Sequence, residues 1–296
     1  MNRLSMAQLR AVEAIVRNGR LTRAAAELHL TQPALSMQVR QAGEIAGEPL
    51  FEPRGRTLVP TAAGLRVAEA GREVARTLES LAADLADRRG LKTGHLRLAA
   101  ATTAEYFAPD LLGGFHARFP GIDIHLEVLN RAQVLERFAR RADDLYLMAR
   151  PPEGRDIVSL PILDNPLVPI AARRHRLAAR KSVSLAEFVR EPFVAREPGS
   201  GTRLITDEFF ARRGVQVEAR MTLGSNEAIK HAVGAGFGCA VISSRALASA
   251  SGIARLAVAG FPLRSFWHVV RAGDARLSPA AGAFIEFART WSAPTR

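Results

Sequence analysis

The sequence predicts a small helical domain with a helix-turn-helix and a short β wing, then a long linker helix, then a larger α/β domain of two lobes. Three observations predict it. Residues 21–42 read as two short helices joined by a tight turn, residues 61–87 as one long helix with an apolar seam, and residues beyond 93 as alternating strands and helices. At 296 residues the chain has room for two or three domains with ordinary cores.

A first helix over 5–19 places Leu9, Val12, Ile15 and Val16 on one face, and Gly19 closes it. In the helix pair, Leu21, Ala24, Ala25 and Leu28 mark the buried side of the first member, whose alanines let a second helix cross closely. Thr31 is a good N-cap for the second member, and Pro33 sits in the first turn, where its missing N–H costs nothing. Leu35, Val39 and Ala42 then point inward, which leaves Gln32, Pro33, Ser36, Met37 and Arg40 outward. Such an amide-and-hydroxyl face at the start of a helix suits the major groove of DNA. Gln32 can present donor and acceptor to an adenine edge, Ser36 can serve several bases, and Pro33 and Met37 can touch thymine methyls.

Residues 50–60 read as a two-stranded wing turning at Gly55, with Arg54 and Arg56 placed to reach phosphates or a minor groove. Thr61 caps the long helix. Its residues Val67, Gly71, Val74, Leu78, Leu81 and Leu85 are spaced 4-3-4-3-4, the spacing of a coiled-coil seam. A helix packed on its own domain is the alternative; dimerisation through 61–89 is the reading adopted, since it supplies the two-fold symmetry that a helix-turn-helix needs to grip paired half-sites.

After the linker Arg88–Gly94, strands are expected near 95–100, 123–129, 144–149, 158–163, 166–171, 193–196, 217–223, 239–242 and 266–271. Helices are expected near 104–118, 131–141, 184–190, 203–212, 227–235 and 279–292. The alternation argues for open parallel sheets covered by helices, with strand-rich stretches near 160–170 and 265–271 as two crossings between lobes. The domains are thus 1–60, 61–89 and 90–296, the last with lobe 1 over about 90–163 and 270–296 and lobe 2 over about 164–269. The cleft between the lobes is the natural ligand site.

Charge and composition narrow the function. The net charge is +12, but residues 1–89 hold 13 Lys+Arg against 10 Asp+Glu, while the remaining residues hold 28 against 19. Most of the basic excess therefore lies outside the helix-turn-helix. It is either a solvated arginine-rich surface or a sign that the larger domain handles an anionic small molecule. The one cysteine, Cys239, excludes an internal disulfide and lies in an apolar run ending at Ile242, as a core thiol would. No segment has the length of a membrane span and the start has no signal-peptide run, so a cytoplasmic protein is expected.

Three segments of the larger domain end a strand and begin a helix. Thr102 and Glu105 have capping-box spacing; with Thr103 they form a helix start that either only caps or also attracts anions. Gly199, Ser200, Gly201 and Thr202 offer two glycines, two hydroxyls and a helix N-terminus flanked by Arg196 and Arg203, a nest for a phosphate or carboxylate. Asn130, after a strand, and Asn226, an expected N-cap, complete the effector candidates. The ligand expected there is an anionic metabolite such as a sugar phosphate or a nucleotide; no other cofactor and no metal is expected. Enzyme readings fare poorly. The run Gly234–Gly238 lacks dinucleotide-motif spacing and precedes a strand, the seven histidines are scattered, and no nucleophile has a matching base.

Ala24-Ala25-Ala26-Glu27-Leu28-His29-Leu30-Thr31-Gln32-Pro33-Ala34-Leu35-Ser36, with Pro49-Leu50-Phe51-Glu52 and Thr61-Ala62-Ala63-Gly64, resembles the LysR-type transcriptional regulators, and the match runs the whole chain. Within them, Tyr106-Phe107-Ala108-Pro109, Arg196-Glu197-Pro198-Gly199-Ser200-Gly201-Thr202-Arg203 and Ser225-Asn226-Glu227-Ala228-Ile229-Lys230 resemble the regulators of Calvin-cycle (RuBisCO) operons. The resemblance implies a winged helix-turn-helix, a linker helix paired antiparallel with its partner, and a two-lobed, periplasmic-binding-protein-like effector domain. It further implies a tetramer made of two dimers, partly palindromic promoter sites, an effector that changes the grip on DNA, and RNA polymerase as a further partner. The chain departs from the family's usual pattern with Ala42-Gly43 in place of Leu-Glu, Pro53 in place of a wing arginine, and Tyr146 in place of a small residue that would reshape the cleft if it faced it. The reading from a different class is a small-molecule-binding protein or enzyme whose N-terminal helices only dimerise.

Overall fold

A computed structural model describes residues 3–54, 57–87, 93–247 and 252–293, and the chain divides into two compact units, Met1–Leu85 and Ala86–Arg296. The first unit begins with α1 (Met6–Asn18), held at its start by a Ser5–Gln8 capping box and closed by Gly19 in the left-handed region. Helices α2 (Leu21–Glu27) and α3 (Gln32–Ala46) follow. Ala11, Ala14, Ile15, Ala24, Ala25 and Leu35 form the core where the three helices meet.

A carboxylate inside the motif fixes this crossing from outside. Arg17 on α1 grips Glu27 at the end of α2 with two hydrogen bonds of 2.5 and 2.9 Å, and Asn18 adds a third at 2.8 Å. The hydrogen bonds from Arg17 and Asn18 hold the Glu27 carboxyl below its ordinary value.

Strands β1 (Phe51–Arg54) and β2 (Thr57–Pro60) pair antiparallel as the wing, with Pro53 opposite Leu58. Helix α4 (Ala62–Asp87) is capped by Thr61, whose hydroxyl accepts from Gly64 N at 3.0 Å and donates to Pro49 O at 2.8 Å. Gly64 is obligatory there, because a Cβ would stand 2.0 Å from Leu50 O. The seam of α4 splits in two. Val67 packs with Val12, Ala42, Leu50 and Ala68, and Gly71 lies against Leu9, so these two positions serve the unit's own core. Val74, Leu78 and Leu81 are 37–53% exposed; the side chain of Leu85 lies outside the described residues.

Lobe 1 of the second unit is a five-stranded sheet of order β4-β3-β5-β12-β6, made of β3 (Gly94–Ala101), β4 (Ile122–Leu129), β5 (Leu145–Met148), β6 (Ile157–Asp164) and β12 (Phe266–Ala272). Helices α5 (Ala108–Arg118) and α10 (Pro279–Thr290) contribute Leu111, Phe115, Ala281 and Phe284 to a core shared with Trp267 of the sheet. Helix α6 (Arg131–Ala139) brings Val134 into a second cluster with Ala99, Tyr146 and Met148.

Lobe 2 holds β7 (Leu167–Ala172) between β10 (Ala240–Ser243) and β11 (Ile253–Arg255), and β8 (Phe193–Arg196) beside β9 (Ala219–Leu223). Helices α7 (Leu185–Phe188), α8 (Gly201–Ala211) and α9 (Asn226–Gly234) pack on them. The chain makes a close approach at Gly238, where a Cβ would stand 2.0 Å from Pro192 O. This gives the glycine run after α9 its structural reason.

Three expectations are corrected. The sheets are not uniformly parallel: β8 runs parallel to β9, and β3 to β4 and β5, but β12 is antiparallel to β5 and β6, and β7 to β10 and β11. The cause is topological, since the chain leaves lobe 1 along β6 and comes back beside it along β12 in the opposite direction. The return lies at Phe266 rather than about 270. Strand β11, only three residues long, carries too short a pattern to be read.

Candidate functional site

In the first unit, the Thr31 hydroxyl accepts from Ala34 N at 3.3 Å and so fixes the start of α3. Leu35 and Ala42 are fully buried, which by the 3.6-residue period turns Gln32, Pro33, Ser36, Met37 and Arg40 outward; Thr31 and these five are all exposed. Arg40 lies 4.0 Å from Glu44 on an open surface. The face therefore offers an amide, a hydroxyl, two apolar groups and one cation within three turns of helix. Arg54 is exposed on the wing. Arg56 and the turn at Gly55 lie outside the described residues.

In the second unit, the two lobes meet at a cleft lined by Thr102, Thr103, Arg131, Asn165, Ser200 and Trp267, among others. It encloses about 20 Å³, roughly the room of one water. The linings come from where the sheets end: Thr102 and Thr103 follow β3, Arg131 opens α6 after β4, and Ser200 opens α8 after β8.

The local reasons differ from those read in the sequence. No capping box joins Thr102 to Glu105. A 3-10 turn runs over Thr102–Tyr106, and the Thr102 hydroxyl donates instead to Leu129 O of β4 at 3.1 Å. Ser225, not Asn226, caps α9. Asn226 is the next residue, 1% exposed, and bonds Arg196 and Thr103. Asn130 caps α6 in a box with Gln133 and is not among the residues lining the cleft.

Arg196 looks from sequence like a cation for the ligand, but its donors are spent inside the protein. Its Nε and Nη2 grip Glu197 at 2.7 and 2.8 Å, Nη1 reaches Asn226 at 3.1 Å and Thr103 at 3.3 Å, and Nη2 also reaches Gly224 O at 3.4 Å. A guanidinium has five N–H donors, and these contacts use five. Arg196 thus ties the loops of lobe 2 to Thr103 of lobe 1 rather than presenting free charge. Arg203 is likewise committed, to Asp207 at 2.7 Å and Arg196 O at 3.3 Å, and neither it nor Gly199 lines the cleft. Ser200, Gly201 and Thr202 do line it. The Ser200 hydroxyl accepts from Arg203 N at 3.1 Å, and the start of the eleven-residue α8 faces the cleft.

The cation that sequence reasoning missed is Arg131. Among the described residues its Nε donates to Arg150 O at 3.1 Å, its other donors have no partner, and no carboxylate stands within ion-pair distance of it. Burial, together with the charge of Arg150, pushes its pKa below the ordinary arginine value. Such a group gains most from an anion. The signal was present in sequence as a basic residue directly after the Asn130 cap, at the helix end where the dipole disfavours a cation.

Tyr146 does not face the cleft. It is 2% exposed beneath α6, where its hydroxyl donates to Arg137 O and accepts from Asp143 N, both at 3.0 Å, and its ring meets Phe138 edge-on. Cys239 is buried, which pushes its thiol up to about 12, as suits an inert core residue. Among the described residues no group of His, Cys, Asp and Glu is placed to hold a metal ion, and no helix is long and apolar enough to cross a membrane.

Comparison with known proteins finds matches to both units. Residues 6–65 match the bacterial regulatory helix-turn-helix proteins of the lysR family, and residues 89–293 match the LysR substrate binding domain. The chain is 43% identical to the HTH-type transcriptional activator CmpR of Synechocystis over 97% of its own length and 95% of the relative's. It is 42% identical to a RuBisCO operon transcriptional regulator of Acidithiobacillus ferrooxidans, over 95% and 92%. The regulatory domain of CcmR from Synechocystis, solved in complex with 2-PG, is similar at 41% identity and a TM-score of 0.63, covering 66% of this chain and 95% of that one. These matches span both units, and the chain belongs to the LysR family of transcriptional regulators, among relatives that regulate Calvin-cycle operons.

Proposed function

We propose that this regulator reads promoter DNA through Gln32, Pro33, Ser36, Met37 and Arg40 of α3, aided by Thr31, Arg54 and Arg56. A small phosphorylated anion held in the cleft of the second unit modulates that grip. The working unit is a homodimer through α4, two of which form a tetramer, acting in the cytoplasm and communicating with RNA polymerase. The exposed Val74, Leu78 and Leu81 on α4 support the dimer.

The observation that carries the effector reading is Arg131, a partly desolvated cation with no carboxylate partner among the described residues, beside the N-terminus of α8 and the hydroxyls of Thr103, Ser200 and Thr202. A phosphate meets all of these donors at once. The relative's ligand, 2-phosphoglycolate, is the natural first probe. Calorimetric titration of the full chain with 2-phosphoglycolate gives saturable binding, and Arg131→Gln weakens it at least tenfold. Absence of heat with the native chain contradicts the effector reading.

A further inference from the structure

Trp267 stands where the chain re-enters lobe 1, on β12 between the cleft and the core. Its ring packs on Phe107 at 5.1 Å and is 1% exposed, while the residue also borders the cleft. The indole Nε1 is buried and has no hydrogen-bond acceptor among the described residues. An indole N–H is a donor only, and buried tryptophans ordinarily find an acceptor for it. A phenylalanine would fill the apolar side of this position without that unmet donor. The strand is also irregular here: the register between β12 and β6 shifts between Trp267 and His268. Bulges of this kind re-aim a side chain beside a functional site.

We infer that Trp267 is a specificity-determining residue of the effector site, whose Nε1–H donates to an oxygen of the bound anion. The inference rests on the effector reading above. The cleft as it stands has room for about one water, so a ligand the size of 2-phosphoglycolate parts the lobes, and the ring loses its seal on that side. The donor that the closed cleft leaves unmet is then satisfied, opposite the positive charge of Arg131. Trp267 thereby selects ligands with an acceptor oxygen at its end of the cleft against those of equal charge that lack one.

The test removes the N–H and keeps the ring's shape. Trp267 and Trp291 are the only tryptophans, so the full chain carrying Trp291→Phe and grown with β-(benzothienyl)alanine has sulfur in place of nitrogen at position 267 alone. Its affinity for 2-phosphoglycolate is compared by calorimetry with Trp291→Phe grown on tryptophan, and thermal unfolding establishes that both are folded. Trp267→Phe serves as a second variant. The expected result is binding about tenfold weaker without the N–H, the scale of one hydrogen bond to a charged group. Equal affinity within twofold overturns the role of Trp267 and leaves the effector reading intact. Failure of the native chain to bind overturns both.

Discussion

The hydroxyl of Tyr106 in lobe 1 donates a 2.6 Å hydrogen bond to Glu227 at the start of α9 in lobe 2. The same carboxylate receives Lys230 Nζ at 2.7 Å, and Lys230, 6% exposed, also donates to Ala246 O at 2.9 Å. This latch and the Arg196–Thr103 contact are two separate ties across one cleft. Three side chains of the Calvin-cycle-like segments, Tyr106, Glu227 and Lys230, thus form one hydrogen-bonded cluster that joins the lobes.

Removing the latch costs closure more than folding. Tyr106→Phe should lower stability by about 1 kcal/mol, and Glu227→Gln by a similar amount, with the double variant well short of additive. Chemical denaturation of the four proteins measures the cycle. Full additivity would mean that the two groups do not act together.

The latch is also pH-sensitive in a definite direction. Burial raises the Glu227 pKa, but the hydrogen bonds from Lys230 and Tyr106 outweigh it and hold the carboxyl below its ordinary 4.5. Because the folded value is the lower one, the stabilisation is complete above about 4.5 and is lost as the pH falls through the folded value. Thermal midpoints between pH 6 and pH 3 should therefore fall more steeply for the native chain than for Glu227→Gln; parallel curves would contradict the assignment.

Arg196 and Arg131 should separate stability from binding. Arg196→Ala strands Glu197, Asn226 and Thr103 at a site where the arginine is 4% exposed, and should cost about 3 kcal/mol or more. Arg131→Gln loses one hydrogen bond to Arg150 O and relieves a desolvated charge, so its stability should stay within about 1 kcal/mol of native. Denaturant midpoints of the two variants check this, and a larger loss for Arg131→Gln would make it a structural residue.

The linker helix yields a prediction on assembly. Leu78→Asp and Leu81→Asp place charge on exposed apolar positions of α4 and should reduce the sedimentation mass at low micromolar concentration by half or more, with helix content unchanged. An unchanged mass would move the dimer interface elsewhere.

How much was legible depended on the range of the interactions. Helix starts set by one residue and its neighbours, such as Thr31 and Thr61, and the buried faces of α1 to α3, follow from local spacing. The roles of Arg196, Arg131 and Trp267 do not, because their partners lie on other elements, 93 residues away in sequence for the Arg196–Thr103 contact. A loop rich in glycine and flanked by arginines predicts anion binding only if those arginines lack carboxylates nearby; here Glu197 and Asp207 occupy both. The capping box at Thr102 failed for a similar reason, since the β4 carbonyl offered the hydroxyl a better partner than its own helix. The α4 seam divides because Val67 and Gly71 serve the unit's own core, and only the exposure of Val74, Leu78 and Leu81 tells where that core ends.

The central claim is that the outward face of α3 reads sequence and that the cleft controls the reading. Fluorescence anisotropy of the full chain on the promoter DNA adjoining its gene, with and without 2-phosphoglycolate, tests both parts at once. The native chain should bind specifically and change its affinity on adding the anion. Gln32→Ala with Ser36→Ala should lose about 10- to 100-fold in specific affinity, at the scale of one or two base contacts, while binding 2-phosphoglycolate normally. Equal promoter affinity for native chain and double variant, or an affinity indifferent to the anion in the native chain, would contradict it.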